Sequence, residues 1–240
     1  MRADKFLVEK GLFESRNRAS EAIRGGRVTI DGALAKPSTR CSDSSKIEIM
    51  EDRFYVSRSA EKLELFLQDS NLDLEGLSAL DIGSSTGGFV QIVLERGVRE
   101  VVAVDVGDNQ LHRSLRGDER VKLFENRDIR EFQYGGRFDI VTCDVSFISI
   151  LKILDSIDRL SRRHIVILFK PQFEVGRGVK RSRRGVVLDR DAISRARERF
   201  ENSANNLGWI LQRVSQSKVA GKSGNLEYLY HYIKRFSDET

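Results

Sequence analysis

The chain reads as an α/β protein in two parts: a Rossmann-like domain on a seven-stranded, mostly parallel sheet, preceded by a small α+β domain. Three observations predict it. From about Ser57 onward, short apolar runs alternate with amphipathic helical stretches, the pattern of a sheet covered on both faces. Before that point the rhythm differs, with two short helices and then alternating strands in a unit near the lower size limit for an independent core. A composition 40% apolar and 32% charged can fill a core under a densely ionised surface, which excludes a disordered chain.

Phe6, Leu7, Leu12 and Phe13 form the first apolar set and Ala19, Ala22 and Ile23 the second, ended by Gly25-Gly26. Val28 to Gly32 is an alternating strand leading into a turn, and Lys46 to Met50 a second strand. We place this first domain at residues 1–52, up to a charged junction at Glu51-Asp52-Arg53, a linker that includes Phe54-Tyr55-Val56 at 53–59, and the second domain at 60–240. The second domain's runs are Leu77–Ile82, Val101–Val106, Val121–Phe124, Phe138–Cys143, Ile165–Phe169, Trp209–Val214 and Tyr228–Ile233, with helices at Phe89–Arg96, Ile150–Leu160 and Asp189–Leu207. The last two runs follow without a helix between them and predict an antiparallel hairpin at the sheet edge; Ser237–Thr240 is expected to fray.

The longest apolar runs cannot span a bilayer, and Arg2, Asp4, Lys5, Glu9 and Lys10 break up any signal-peptide core, so a cytoplasmic protein is expected. Two cysteines, Cys41 and Cys143, give no disulfide framework. The net charge of +5 over 240 residues suits a phosphate-rich partner but equally an ordinary soluble enzyme.

The sharpest motif is Asp81-Ile82-Gly83-Ser84-Ser85-Thr86-Gly87-Gly88-Phe89, which ends the first strand of the large domain and opens a helix. Glycines there let the backbone approach a ligand, and the carboxyl end of a parallel sheet is where ligands sit. The spacing departs from the Gly-x-Gly-x-x-Gly of dinucleotide folds, and Asp81 would repel phosphate while suiting an amine or a sulfonium. Asp105 ends the next strand, where it can take a ribose diol, and Asp128, followed by Ile129, comes after the third, where it can meet an adenine amino group. Three acids at successive strand ends favour S-adenosylmethionine over NAD.

Lys62 in the helix before that first strand, Asp144 ending the fourth, Lys170 ending the fifth and Glu227 opening the last all fall at the same sheet edge. Any one of them could be an ordinary ion-pairing residue. Together they suit methyl transfer to a ribose 2′-OH, a poor nucleophile that needs a base and an in-line approach. Lys170 is the expected base, tuned and positioned by Lys62, with the carboxylates holding both.

On these motifs the second domain resembles the FtsJ/RrmJ-type class I 2′-O-ribose methyltransferases, whose Lys-Asp-Lys-Glu set maps onto Lys62, Asp144, Lys170 and Glu227. The first resembles the S-four-like RNA-binding module, through Arg2-Ala3-Asp4-Lys5, Ser15 to Ala19, Ile23 to Val28 and Lys36-Pro37-Ser38. Together they resemble the TlyA (haemolysin A-type) rRNA 2′-O-methyltransferases over nearly the whole chain. Ser59 departs from the Gly expected after Ser57-Arg58. The compact length resembles the subgroup acting on a large-subunit rRNA cytidine alone.

The resemblance implies a ribosomal RNA or ribosomal subunit as partner. Residues Met1 to Arg58 hold 12 Lys or Arg against 9 Asp or Glu. Arg16, Arg18, Arg24 and Arg27, with Arg2, are the expected phosphate contacts there, and Arg58 an expected guide at the junction. Arg177, Lys180, Arg181, Arg183 and Arg184 form a second basic cluster, read as a mobile clamp ordered by RNA. Phe89 and Phe147 are candidates to seat the cofactor or a flipped base, beside a plain packing role. His112, His164 and His231 are scattered without ligand spacing, so no metal is expected. The protein is expected to be a monomer off the membrane. A membrane-active haemolysin and a non-catalytic ribosome-associated RNA-binding protein are the rival readings.

Overall fold

A computed structural model describes residues 1–24, 26–49 and 54–235, so the expectations for Gly25, Met50 to Arg53 and the terminal Ser237–Thr240 lie outside the described residues. The chain divides into two compact units, Met1–Phe54 and Tyr55–Thr240.

In the first unit, α1 (Ala3–Glu9) and α2 (Arg16–Arg24) precede β1 (Val28–Ile30), β2 (Ala33–Leu34) and β3 (Ile47–Ile49), in a sheet of order β2-β1-β3. The two-residue strand β2 was not expected; it pairs with β1 across the tight turn at Asp31-Gly32. Phe6, Leu7, Ala19, Ile23, Val28 and Ile30 close the small core.

The second unit opens with α3 (Arg58–Gln68), so Arg58 and Ser59, expected in the linker, lie in a helix. Then come β4 (Ser78–Ile82), α4 (Gly88–Glu95), β5 (Glu100–Val104), α5 (Arg113–Arg116), β6 (Val121–Phe124) and β7 (Phe138–Cys143). A 3-10 turn at Ile150–Lys152 leads into α6 (Leu154–Leu160), β8 (Ser161–Phe169), α7 (Pro171–Glu174), α8 (Arg190–Asn206), β9 (Trp209–Gln216) and β10 (Tyr228–Lys234). The seven-stranded sheet has the order β6-β5-β4-β7-β8-β10-β9, with β10 antiparallel to both neighbours. The expected mostly parallel sheet is borne out. The hairpin's β10 lies inside the sheet, and β9 takes the edge.

Strand pleating sorts side chains to the two faces. Leu80, Ile82, Val102, Val104, Val141 and Cys143 meet α6 and α8 on one side, while Ala79, Val101, Ala103 and Ile140 meet α3 and α4 on the other. With both faces covered, the strands read as continuous apolar runs. Chain order reverses at β4, which has β5 on one side and β7 on the other, and the crevice at such a switch point is where open α/β sheets bind ligands. No described helix is long and apolar enough to cross a membrane.

Candidate active site

The carboxyl ends of β4, β5 and β7 border a cavity of about 580 Å³ lined by Gly83, Ser85, Asp105, Asp128, Ile129, Asp144, Ser146 and Phe147 among others. A smaller cavity of about 200 Å³ shares Gly83, Ser85, Asp144 and Ser146 with it and reaches Asp81, Ser84, Thr86, Phe89 and Lys170. The two form one continuous lining, large enough for a nucleoside-bearing ligand.

Gly83 has φ +78°, and a Cβ there would stand 3.0 Å from the Asp144 carbonyl oxygen, so only glycine lets the β4 and β7 ends come this close. Gly87 and Gly88, expected at the cofactor, line neither cavity. A Cβ on Gly88 would fall 2.1 Å from Ser59 Oγ and 2.8 Å from the Ala60 nitrogen, and one on Gly87 would strike Leu111 and Leu115. These two glycines seat α4 against its neighbours, and Ser59 occupies the space that Gly88 vacates. Phe89 is buried in the α3–α4 core and only touches the smaller cavity.

The three acids differ in state. Asp81 is buried, with Thr142 Oγ1 donating to Oδ1 at 2.6 Å and Oδ2 unpartnered among the described residues. Burial pushes its carboxyl up to about 7 against the Thr142 hydrogen bond, and Asp144 and Asp105 add to the rise. A buried carboxylate with a spare oxygen is a receptor for a cation. Asp105 is held from both oxygens: Ser85 N–H donates at 2.8 Å and Gly107 N–H at 2.7 Å. Asp128 is clasped by the Arg130 guanidinium, which holds its carboxyl below the usual range, so it offers the cavity a neutralised wall.

The four lysines and acids come together as two ion pairs. Lys170 Nζ lies 2.6 Å from Asp144 Oδ1 and donates to Ser146 Oγ at 2.9 Å, both acceptors lining the cavity. Lys62 Nζ donates to Glu227 Oε2 at 2.6 Å, and this pair is buried, outside either lining. Burial raises the Asp144 carboxyl, with Lys170 and then Lys62 pulling it back and Glu227 opposing them. Sequence reasoning missed Ser146, Thr142 and Gln172, whose Nε2 donates to Glu227 Oε1 at 3.0 Å. Ser146 and Gln172 stand two residues after Asp144 and Lys170, a proximity that could have flagged them.

The basic residues expected at RNA phosphates stand in different surroundings. At about 100° per residue on a helix, Arg18 and Arg24 of α2 lie to either side of Glu21, and Arg16 sits near the buried face. Arg2 and Arg16 both donate to buried Asp4, at 3.1 and 2.9 Å, and are 50% and 59% exposed, so they are anchored guanidinium groups with one face to solvent. Those bonds hold the Asp4 carboxyl down at about 2. Arg18, Arg24 and Arg58 are exposed and Arg27 half-buried.

The 176–189 loop is folded rather than open. Arg181 and Val187 form a bridge, and Arg181 donates to the carbonyls of Gln172, Gly176 and Val179, which gives this arginine a structural task. Arg177, Lys180, Arg183 and Arg184 remain exposed. Two of the histidines are not scattered: His164 Nδ1 and His231 Nε2 meet at 3.1 Å between β8 and β10, and burial lowers both to about 4. Among the described residues no three His, Cys, Asp or Glu side chains gather as a metal-holding group.

Residues 55–234 match the FtsJ-like methyltransferase family and residues 1–47 the S4 domain. A 23S rRNA (cytidine-2′-O)-methyltransferase, TlyA, of Campylobacter jejuni is 43% identical, over 98% of this chain and 100% of its own length. A 16S/23S rRNA (cytidine-2′-O)-methyltransferase, also TlyA, of Mycobacterium tuberculosis is 42% identical, over 95% of this chain and 87% of its own. Hemolysin A of Brachyspira hyodysenteriae is 36% identical over 97% and 100%. Among solved structures, a hemolysin-named protein from Streptococcus thermophilus superposes with a TM-score of 0.72 at 33% identity, covering 99% of this chain and 89% of that one.

Proposed function

The chain belongs to the FtsJ-like methyltransferases and, within them, to the TlyA rRNA 2′-O-methyltransferase family, and from that premise we propose that it methylates the ribose 2′-OH of a cytidine in ribosomal RNA. The observation that carries this reading is the Lys170–Asp144 pair on the wall of the smaller cavity, which also reaches Asp81 and shares its lining with the larger cavity that Asp105 borders.

S-adenosylmethionine, when bound, supplies the electrophilic methyl group. The residues present fit it: Asp81 offers an unpartnered buried oxygen to a cationic amine, Asp105 a fixed carboxylate to a ribose diol, and Gly83 and Ser85 the space between. Asp128 and Ile129 border the end where a purine would lie. Lys170 must first release to solvent the proton it carries in the pair with Asp144; as the neutral amine it then accepts the hydroxyl proton, and Asp144 and Ser146 aim its Nζ into the cavity. The buried Lys62–Glu227 pair acts on Asp144 through its two charges. Phe147, 92% exposed at φ +67° and 5.2 Å from the Phe173 ring, offers a stacking face at the cavity mouth for a nucleotide turned out of its helix.

The first unit and the exposed cations Arg58, Arg177, Lys180, Arg183 and Arg184 hold folded rRNA through its phosphates. We take the protein to be a monomer that acts in the cytoplasm, where bacterial ribosomes are. Large-subunit rRNA is the target in this reading, the rRNA that the names of both TlyA relatives share. Mapping 2′-O-methylation on both rRNAs from cells with and without the gene tests this. A mark lost from a large-subunit cytidine only is expected, and loss from the small subunit, or no loss, contradicts it.

A further inference from the structure

Glu227 is held from three sides. Lys62 takes Oε2, the Gln172 amide donates to Oε1, and Gly221 lies so near that a Cβ there would come within 2.4 Å of Oε1. The Gln172 amide is oriented by chemistry, because a carboxylate oxygen needs a donor and only Nε2 can supply it. That orientation leaves Gln172 Oε1 buried without a partner among the described residues. A buried acceptor left unpaired costs stability, so the donation to Glu227 is what this side chain is placed for.

The same residue is tied to the basic loop. Arg181 donates to the Gln172 carbonyl and to two carbonyls inside the loop. From the other side, Asn225, two residues before Glu227, accepts from the Val187 nitrogen at 3.0 Å and donates to the Gly185 carbonyl. The segments bearing Gln172 and Glu227 are therefore both bound to the loop that displays Arg177, Lys180, Arg183 and Arg184.

Resting on the methyl-transfer reading above, we propose that Gln172 is a positioning residue of the reaction, which locks Glu227 against Lys62, and that Arg181 serves this lock rather than RNA phosphates. The basic loop and the Lys62–Glu227 pair then form one connected body, and RNA seated on the loop bears directly on the placement of Glu227.

The test uses the full-length protein, rRNA and S-adenosylmethionine. Gln172→Met keeps the length and removes the donor; kcat is expected to fall roughly 10- to 100-fold, the worth of a hydrogen bond to a charged group, with KM for RNA unchanged. Gln172→Glu keeps the shape and sets two carboxylates 3.0 Å apart, which must share a proton. Its activity relative to wild type is expected to rise as pH falls, which a merely structural role would not produce. Arg181→Ala is expected to lower kcat. Wild-type kcat in Gln172→Met, a Gln172→Glu deficit independent of pH, or an Arg181→Ala loss confined to KM overturns the proposal. If Gln172→Met does not fold, the Gln172→Glu pH profile decides. Full activity in Lys170→Ala would instead defeat the underlying reading; an inactive Lys170→Ala beside a normal Gln172→Met defeats this inference alone.

Discussion

Asp81→Asn keeps the shape of the side chain and its contact with Thr142 but removes the ionisable proton. In the unfolded chain the carboxyl titrates near 3.8 and in the fold at about 7. Between those values the fold binds more protons than the unfolded chain, so the stability from this site is present at low pH and is lost as pH rises through the window. The interval, at ~1.36 kcal/mol per pH unit, makes ionised Asp81 cost the fold roughly 4 kcal/mol above neutrality. Asparagine carries no such cost. The variant should match wild type at about pH 4 and exceed it by roughly 4 kcal/mol at about pH 8, near 10 °C in Tm. The buried histidines are common to both proteins and cancel in the difference. Denaturant unfolding across this range is the assay. Binding of S-adenosylmethionine, followed by calorimetry, should show the reverse cost: wild-type affinity rises with pH through neutrality as the carboxylate ionises, and the variant binds weakly at every pH. A stability difference independent of pH, or equal affinity in the two proteins, would refute the reasoning.

Three further outcomes follow from particular contacts. Gly88→Ala places a methyl against Ser57, Ser59 and the Ala60 backbone and should destabilise the second unit by about 1–3 kcal/mol, measurable as a lower thermal midpoint. His164 and His231, lowered to about 4 from 6.5, stay neutral in the fold, so their stability is present above about pH 6.5 and is lost as pH falls toward 4; His231→Gln should flatten that acid limb in urea titrations. Replacing both Arg183 and Arg184 with alanine should weaken rRNA binding and reduce the slope of log K against log salt by nearly two, and an unchanged slope would remove these residues from the phosphate contacts.

The strands were legible because a sheet buried on both faces writes itself as apolar runs, and Asp81, Asp105 and Asp128 were legible because each stands at the carboxyl end of such a run or within four residues of it. Strand order was not, since nothing local records that β10 inserts between β8 and β9. The same insertion brings together His164 and His231, 67 residues apart. Gly87 and Gly88 looked like ligand-facing glycines because close approach to a cofactor and close approach to a helix ask for the same residue. Their neighbours, Ser59 and Leu111, decide between the two only in three dimensions. Arg181 was indistinguishable from Arg183 and Arg184 by charge, and the carbonyls it binds are set by the loop's fold. Lys62 and Glu227, 165 residues apart, were foreseen at one edge, but their burial as a pair outside either cavity lining was not.

The central claim is that Lys170 removes the 2′-hydroxyl proton while the rest of the site only holds and aligns. The direct measurement is single-turnover methylation of rRNA by wild type and Lys170→Ala, with S-adenosylmethionine affinity measured on the same preparations. The account predicts a rate lower by roughly 100-fold or more, the usual worth of a positioned base, with cofactor affinity intact. A variant that methylates at the wild-type rate would contradict it.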